Sequence, residues 1–164
     1  NTRALYGKGW KGVLVEPAQQ NFDFIKEYFK EDKEQQIIQT CVGNYDGEVT
    51  FWDSQGDAIG TTDPKHMELW KKNYGVPYKE VKYPIVTFQT LLTKTIYKKF
   101  DFVSIDIEGE GNFQVLTQID FNAIGCSMVC VEYNGIDKPK YLGCCQRQGF
   151  RLIHSNGENL IFAK

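Results

Sequence analysis

The stretch DFVSIDIEGEGNFQVL, residues 101–116, decides the fold of this chain. A β-branched apolar run predicts a buried strand, and it ends in three carboxylates, Asp106, Glu108 and Glu110. Glycines at positions 109 and 111 follow, and then a helical pattern begins. In an open α/β sheet, ligands bind beyond the carboxyl ends of the strands. Because acids are costly to bury but can be hydrated or engage a ligand at a strand end, this turn is the first candidate site.

Length and charge limit the classes of function. With 164 residues, 41% of them hydrophobic, residues 1–164 are predicted to form a single domain with a sizeable core. The net charge of −2 gives the whole chain no attraction for nucleic acid or for an anionic membrane. No apolar stretch approaches the ~20 residues that a membrane helix needs, and no signal peptide is visible. We therefore expect neither nucleic acid nor membrane as a partner.

The five cysteines do not suggest a disulfide framework or a metal site. Their number is odd, none forms a CxxC motif, and the adjacent pair Cys144–Cys145 is not a metal-ligand spacing. Only two histidines are present as nitrogen ligands, so no metal is expected. Buried free thiols in a reducing compartment are favoured, which predicts a cytoplasmic protein.

Hydrophobic periodicity predicts alternating strands and helices along the chain. The predicted strands are 12–16, 36–42, 47–52, 81–86, 101–107 and 127–133. The predicted helices are 18–29, 65–73, 88–99, 112–119 and 138–148, and residues 150–155 and 159–163 form a closing hairpin around Asn156–Gly157. This order predicts an α/β fold with a largely parallel sheet, covered on both faces, and an antiparallel hairpin strand at one edge.

Residues 54–79 are the least regular part of the chain, with five Gly or Pro residues and one predicted short helix. A long excursion of this kind is typical of a lid or binding loop, or of a mobile segment, and we expect it to be the most mobile part. The following strand, 81–86, contains Pro84, which predicts an edge position. Thr87 is predicted to cap the next helix.

The order of five segments resembles the FkbM family of S-adenosylmethionine-dependent methyltransferases. These segments are GWKGVLVEP, VGNYDGEVTFW, DFVSIDIEGEGNFQVL, MVCVEYN and QGFRLIHSNGENLIFAK. The pair GW-x-G-x-x-x-EP and ID-x-EG is the most specific part of the likeness. The resemblance implies a Rossmann-like sheet of seven strands in the order 3-2-1-4-5-7-6, with strand 7 antiparallel, and S-adenosylmethionine as cofactor.

The resemblance also implies cofactor-binding residues. Glu16 ends the first predicted strand, and a carboxylate there suits a ribose diol, since it accepts both hydroxyl protons. Pro17 directs the chain away where the adenine would lie. The alternative is that Glu16 caps helix 18–29. Cys41 and Val42 fall where this fold lines the adenine, and core packing explains them equally well.

Three acids are the catalytic candidates. Asp106 and Glu108 match the ID-x-EG acids, which in similar methyltransferases lie beside the methionine end of the cofactor and the acceptor, so Asp106 is also a cofactor-binding candidate. A carboxylate there can hold the cofactor's ammonium, favour its sulfonium, or take a proton from an acceptor hydroxyl. Glu132 ends MVCVEY at the same sheet edge. The alternative for the first two is capping of helix 112–119, for which Asp106 lies too far upstream.

The chain departs from the family pattern in two places. Gly111 stands where the pattern has a second glutamate, and Glu110 is displaced by one position. The glycine-rich loop and first strand are absent, which predicts an N-terminally truncated domain. Strands 12–16 and 103–107 would then pair directly, borrow a strand, or assemble across the defect, and we expect assembly into a homo-oligomer through these apolar edges.

The leading functional hypothesis is an O-methyltransferase acting on a hydroxyl of a small molecule or glycan. The acceptor would depend on the excursion and on nearby aromatic residues, which either stack on the acceptor or pack the excursion onto the sheet; they are Trp52, Trp70, Tyr74 and Tyr78. The alternative is a catalytically inactive relative that serves as a binding or assembly module. Another nucleotide-binding Rossmann-like enzyme is disfavoured, because no G-x-G-x-x-G or GKT/S element is present.

Overall fold

A computed structural model describes residues 2–164 and confirms a mixed α/β architecture with parallel and antiparallel strands. The helices are α1 (Arg3–Tyr6), α2 (Gln19–Tyr28), α3 (Pro64–Tyr74), α4 (Phe88–Lys94), α5 (Gly111–Leu116) and α6 (Lys138–Arg147). The strands are β1 (Gly12–Val15), β2 (Gln35–Ile38), β3 (Cys41–Val42), β4 (Gly47–Asp53), β5 (Lys79–Val86), β6 (Phe102–Ile105), β7 (Met128–Glu132), β8 (Arg151–Ser155) and β9 (Asn159–Ala163).

The strands form three separate ladders rather than one continuous sheet. β1 and β2 pair in parallel, β3, β5 and β4 form a three-stranded sheet in that order, and the third sheet has the order β6-β7-β9-β8. The predicted terminal hairpin is confirmed, and β9 is antiparallel to both of its neighbours. The hairpin lies at one edge of this sheet, as predicted, with β8 outermost.

The predicted edge position of the strand containing Pro84 is wrong, because β5 lies between β3 and β4. The predicted strand 36–42 is also divided, and its last two residues, β3, pair with Ile85 and Val86. The carbonyl of Pro84 accepts a hydrogen bond from the Thr40 hydroxyl at 3.0 Å, so residue 84 directs its backbone polar groups toward the β3 side. Pro84 has no backbone N–H to donate on that side. Because β3 pairs with β5 only from Ile85 onward, no ladder hydrogen bond is lost at Pro84.

The larger hydrophobic core lies under the four-stranded sheet. Leu116, Phe121, Leu160 and Phe162 are fully buried there, together with residues of β7, α5 and α6. A smaller cluster of Ala18, Cys41, Phe51 and Ile85 lies beside the three-stranded sheet. By contrast, α1 and α2 contribute no buried residue among those described. The molecule thus has one well-packed half and one open half.

Local sequence signals fix several helix ends. Thr87 caps α4 as predicted, accepting from the Thr90 N–H at 3.2 Å. The helix ends at Lys94, earlier than predicted, and the Lys98 ammonium donates to the carbonyls of Leu92, Thr93 and Thr95. Charged groups that satisfy the last carbonyls of a helix favour its termination there.

All five cysteines are free and buried, as predicted. Burial raises the pKa of the Cys145 thiol to about 12, and that of Cys41 to the same value. These thiols are therefore neutral and unreactive while the fold is intact. Within residues 2–164, none of the helices has the length and apolar character needed to cross a membrane.

Candidate active site

A cavity of about 1450 Å³ lies beside β1 and β6, and every residue of these two strands lines it. The two strands do not pair with each other in the described part of the chain, since β1 pairs with β2 and β6 with β7. Six acidic residues line the same cavity, and they include the four candidates from the sequence: Glu16, Asp106, Glu108 and Glu132. The strand ends that the sequence singled out therefore meet around one space.

Three of these acids form a compact group, which we call the acid cluster: Asp106, Glu108 and Glu132. One carboxylate oxygen of each lies within 4.8 Å of the others. Asp106 and Glu108 follow β6, whereas Glu132 ends β7, its parallel neighbour. Carboxylate oxygens at this spacing either share protons or bind a hard divalent cation, a donor set that the sequence did not suggest.

Glu132 is the most perturbed member of the acid cluster. Burial, followed by the negative charges of Glu108 and Asp106, raises its pKa to about 7. A hydrogen bond from Asn112 Nδ2 to Glu132 Oε2, at 3.3 Å, acts in the opposite direction. Glu132 is therefore divided between its acid and carboxylate forms near neutral pH, where a proton acceptor or donor works best.

Two glycines shape the turn that carries Glu108. Gly109 has φ of +97°, and a Cβ there would lie 2.7 Å from Asp63 Cβ, so no side chain fits. A Cβ on Gly111 would lie 3.0 Å from Ile107 Cγ2. A glutamate at position 111, as in the family pattern, would therefore require Ile107 to move, and Glu110 lies exposed at the start of α5.

Hydrogen bonds link the excursion, residues 54–79, to this turn. The buried Thr61 hydroxyl donates to the Glu108 carbonyl at 2.7 Å, and the Glu110 N–H donates to Asp63 Oδ2 at 3.3 Å. His66 Nε2 lies 3.2 Å from Glu108 Oε2, an ion pair when the imidazole is protonated, although the groups are not aligned for a hydrogen bond. The predicted helix is confirmed as α3, and the mobility of the excursion stays a prediction.

Glu16 lines the cavity but lies outside the acid cluster. Its Oε1 accepts a hydrogen bond from the Ala18 N–H at 2.8 Å, which agrees with the capping alternative. Burial raises its pKa, and the Ala18 N–H opposes this rise. Oε1 is thus engaged just before α2, whereas Oε2 forms no hydrogen bond with residues 2–164, so capping and ligand binding are compatible.

The remaining cofactor candidates also line the cavity; they are Pro17, Cys41 and Val42. Cys41 belongs to the smaller core cluster, while Val42 packs against the larger one. Both roles considered for these residues, core packing and lining of a ligand site, are therefore consistent with their positions.

The aromatic residues near the excursion divide into two pairs. Tyr78 donates its hydroxyl to the Ile59 carbonyl at 3.0 Å, and Trp52 forms a backbone bridge with Thr61, so these two hold the excursion in place. Trp70 and Tyr74 stack on each other along α3, with ring centroids 4.8 Å apart, and Tyr74 is exposed. Of these four residues Tyr74 is the exposed one, and the other three are half-buried.

Sequence reasoning missed four residues that shape the acid cluster: Thr61, Asp63, His66 and Asn112. One of them had a readable signal, because Asp63 followed by proline is a typical helix start, and Asp63 accepts from Lys65 and His66 N–H groups. Asn112 is a polar residue in an otherwise apolar helix face, which is a weaker signal. The contacts of Thr61 and His66 are long-range in sequence and left no local signal.

A sequence model described as the methyltransferase FkbM domain matches residues 1–152 of the chain. The match spans most of the 164 residues, and the chain therefore belongs to the FkbM methyltransferase domain family. No curated protein and no solved structure matched the chain.

Proposed function

We propose that this member of the FkbM methyltransferase family is an S-adenosylmethionine-dependent O-methyltransferase that acts on a hydroxyl of a small molecule or glycan. The observation that supports this most is the cavity that Glu16 and the acid cluster line together at the ends of β1, β6 and β7. Ligands of open α/β folds bind at this position, beyond the carboxyl ends of parallel strands.

The residues around the cavity suit the proposed cofactor. Its volume of about 1450 Å³ exceeds the roughly 300–1000 Å³ typical of small-molecule sites, so space is sufficient. The Glu16 carboxylate would accept the ribose hydroxyls, with Pro17, Cys41 and Val42 beside the adenine. Asp106 would hold the ammonium of the methionine end by charge.

The acid cluster would serve the acceptor side of the reaction. When bound, the cofactor supplies an activated methyl group for an in-line displacement, which depends mainly on alignment. Asp106 or Glu108 would accept the hydroxyl proton as the acceptor oxygen attacks, and Glu132 would adjust the charge of the cluster by holding or releasing its own proton. The excursion lies against Glu108 and would carry the acceptor, with Trp70 and Tyr74 offering the stacking surface.

The ribose role is tested with Glu16→Ala in the full-length protein. We expect weaker S-adenosylmethionine binding by about 1.5–3 kcal/mol, the contribution of hydrogen bonds to a charged acceptor. Isothermal titration calorimetry measures the difference, with the exposed acid variant Glu48→Ala as the control. Unchanged affinity in Glu16→Ala would leave only the capping role.

The role of Asp106 is tested by steady-state kinetics of Asp106→Asn. If its charge acts mainly in the transition state, kcat falls by about tenfold or more while the KM for cofactor changes little. Asp23→Asn, an exposed substitution on α2, is the matched control. A rise in KM with unchanged kcat would instead make Asp106 a binding residue only.

A second candidate is a catalytically inactive relative that acts as an assembly module. It is favoured by the edges of β1 and β6 beside the cavity, which do not pair with each other among residues 2–164. These apolar edges also support our proposal of a homo-oligomer, and the five free thiols support a cytoplasmic location.

Two measurements separate these candidates. Calorimetry with S-adenosylhomocysteine on the full-length protein tests the cofactor site, and no detectable heat would favour the inactive module. Light scattering tests assembly, since a monodisperse monomer would remove the proposed role of the open edges.

A further inference from the structure

Asn112 occupies an unusual position for an amide. It lies in the first turn of α5, its side chain is 1% exposed, and its neighbours Val115 and Leu116 belong to the larger core. A buried amide without partners destabilises a fold, so its hydrogen bonds determine why it is tolerated there.

Both ends of the amide are engaged with the ends of neighbouring strands. Oδ1 accepts the N–H of Ile107 at 2.7 Å, just beyond β6, and Nδ2 donates to Glu132 Oε2 at 3.3 Å, at the end of β7. One side chain thereby links the turn that carries Asp106 and Glu108 to the third acid. The neutral Asn112 amide thus donates to Glu132, the member of the acid cluster whose pKa is raised most.

We propose that Asn112 is a positioning residue that holds the Glu132 carboxyl beside Asp106, so that the acid cluster acts as one proton-sharing group. Its relevance to catalysis depends on the proposed function, but the arrangement itself does not. Glu132 also forms a side-chain hydrogen bond with Asp106, but without Asn112 its carboxyl would lose its neutral donor. Repulsion from its two acidic neighbours would then turn the ionised carboxyl toward solvent.

Other titratable groups face this cluster and belong in any pH experiment. Tyr141 on α6 has its pKa raised to about 12, by burial and then by the charge of Glu132. Cys130 on β7 has a raised pKa, mainly from burial and in part from Asp106 and Glu132. His66 on α3 faces Glu108. Because their pKa values are raised, neither the Tyr141 hydroxyl nor the Cys130 thiol is expected to titrate near neutral pH.

The test measures coupling between two acids by NMR titration. In the protein with Asn112 intact, Asp106→Asn removes a like charge and should lower the pKa of Glu132 by about 1 unit. In an Asn112→Leu background, the same Asp106→Asn change should shift the pKa of Glu132 by less than about 0.3 unit, since the two groups no longer meet. An equal shift in both backgrounds would overturn the positioning role.

Controls separate positioning from general destabilisation. Val115→Ala, in the same helix and also buried, should weaken folding but leave the coupling intact. If Asn112→Leu fails to fold, Asn112→Ala removes the same two hydrogen bonds without added bulk, and the same criterion applies. Because the titration needs neither cofactor nor turnover, a negative result here differs from a failure of the methyltransferase proposal, which calorimetry reports. In an active protein, the Asn112 variants should shift the pH–rate profile.

Discussion

The two halves of this molecule differ in how completely they are closed. The sheet β6-β7-β9-β8 covers a core that includes fully buried Leu160 and Phe162, whereas β1 and β2 form an isolated pair with only half-buried residues. The helix that follows β1 exposes Phe24 and Tyr28. The acid cluster belongs to the closed half, and Glu16 to the open half. The cavity therefore has one firmly packed wall, which carries the acid cluster, and one wall whose position depends on fewer contacts.

The strongest test of this comparison uses the same substitution in both halves. Phe162→Ala should lower the free energy of unfolding by about 3–5 kcal/mol, because Phe162 is fully buried in the closed half. Phe24 on α2 is 72% exposed, so Phe24→Ala should change the free energy of unfolding by less than about 0.5 kcal/mol. Urea denaturation followed by circular dichroism measures both. Equal losses would show that the open half is as tightly packed as the closed half.

Hydrogen exchange sharpens the comparison strand by strand. Backbone amides of Val131 and Leu160, in the centre of the closed sheet, should exchange only through global unfolding. Amides of Val13 and Leu14 should open with a free energy lower by about 2 kcal/mol or more, because within residues 2–164 β1 pairs with a single strand, β2. Similar protection in both pairs, measured by mass spectrometry or NMR, would contradict a weakly held wall.

A smaller effect is expected at the start of α4. Its residues Phe88 and Leu92 pack against the larger core, so its cap contributes to the closed half. Thr87→Ala removes the hydrogen bond to the Thr90 N–H and should cost about 1 kcal/mol in unfolding free energy. Thr93→Ala, an exposed threonine on the same helix, is the control and should change stability by less than about half as much. If the two variants lost the same stability, Thr87 would have no capping role.

The smallest expected effect is a pH dependence of stability from Glu132. Its raised pKa means that the folded state keeps a proton that the unfolded state, with an ordinary value of 4.5, releases. The resulting stability is complete below pH 4.5 and is lost as the pH rises through about 7. Glu132→Gln should lack this decline, with a difference of about 1 kcal/mol or less, because solvent screens a partly exposed group. Parallel curves for the two proteins between these pH values would contradict the raised pKa.

The sequence predicted element types well because each depends on local patterns. Thr87, the excursion helix and the terminal hairpin were found from capping, periodicity and turn residues. Pro84 led to a wrong edge assignment, because a proline excludes one ladder hydrogen bond but does not exclude a short neighbouring strand that begins one residue later. The division into three sheets depends on long-range pairing, which local patterns do not encode.

The candidate site was predictable only where local sequence patterns determine it. Acids at the ends of apolar runs stand out in a sequence, and Asp106, Glu108 and Glu132 do come together. The residues that orient them do not stand out, since the link from Asn112 to Glu132 spans 20 positions and that from Thr61 to Glu108 spans 47. The acids are recognised by residue type, whereas the residues that orient them are recognised only by their contacts in the structure.

The buried thiols provide a built-in reporter of where the protein opens. Cys41 lies beside the cavity and Cys145 lies in the larger core, and both are protected from reagents while they stay buried. A small thiol-specific label would therefore react at each site at the rate at which that region exposes its sulfur. Labelling rates of single-cysteine proteins would therefore record the opening of the two halves separately, without a cofactor or a substrate.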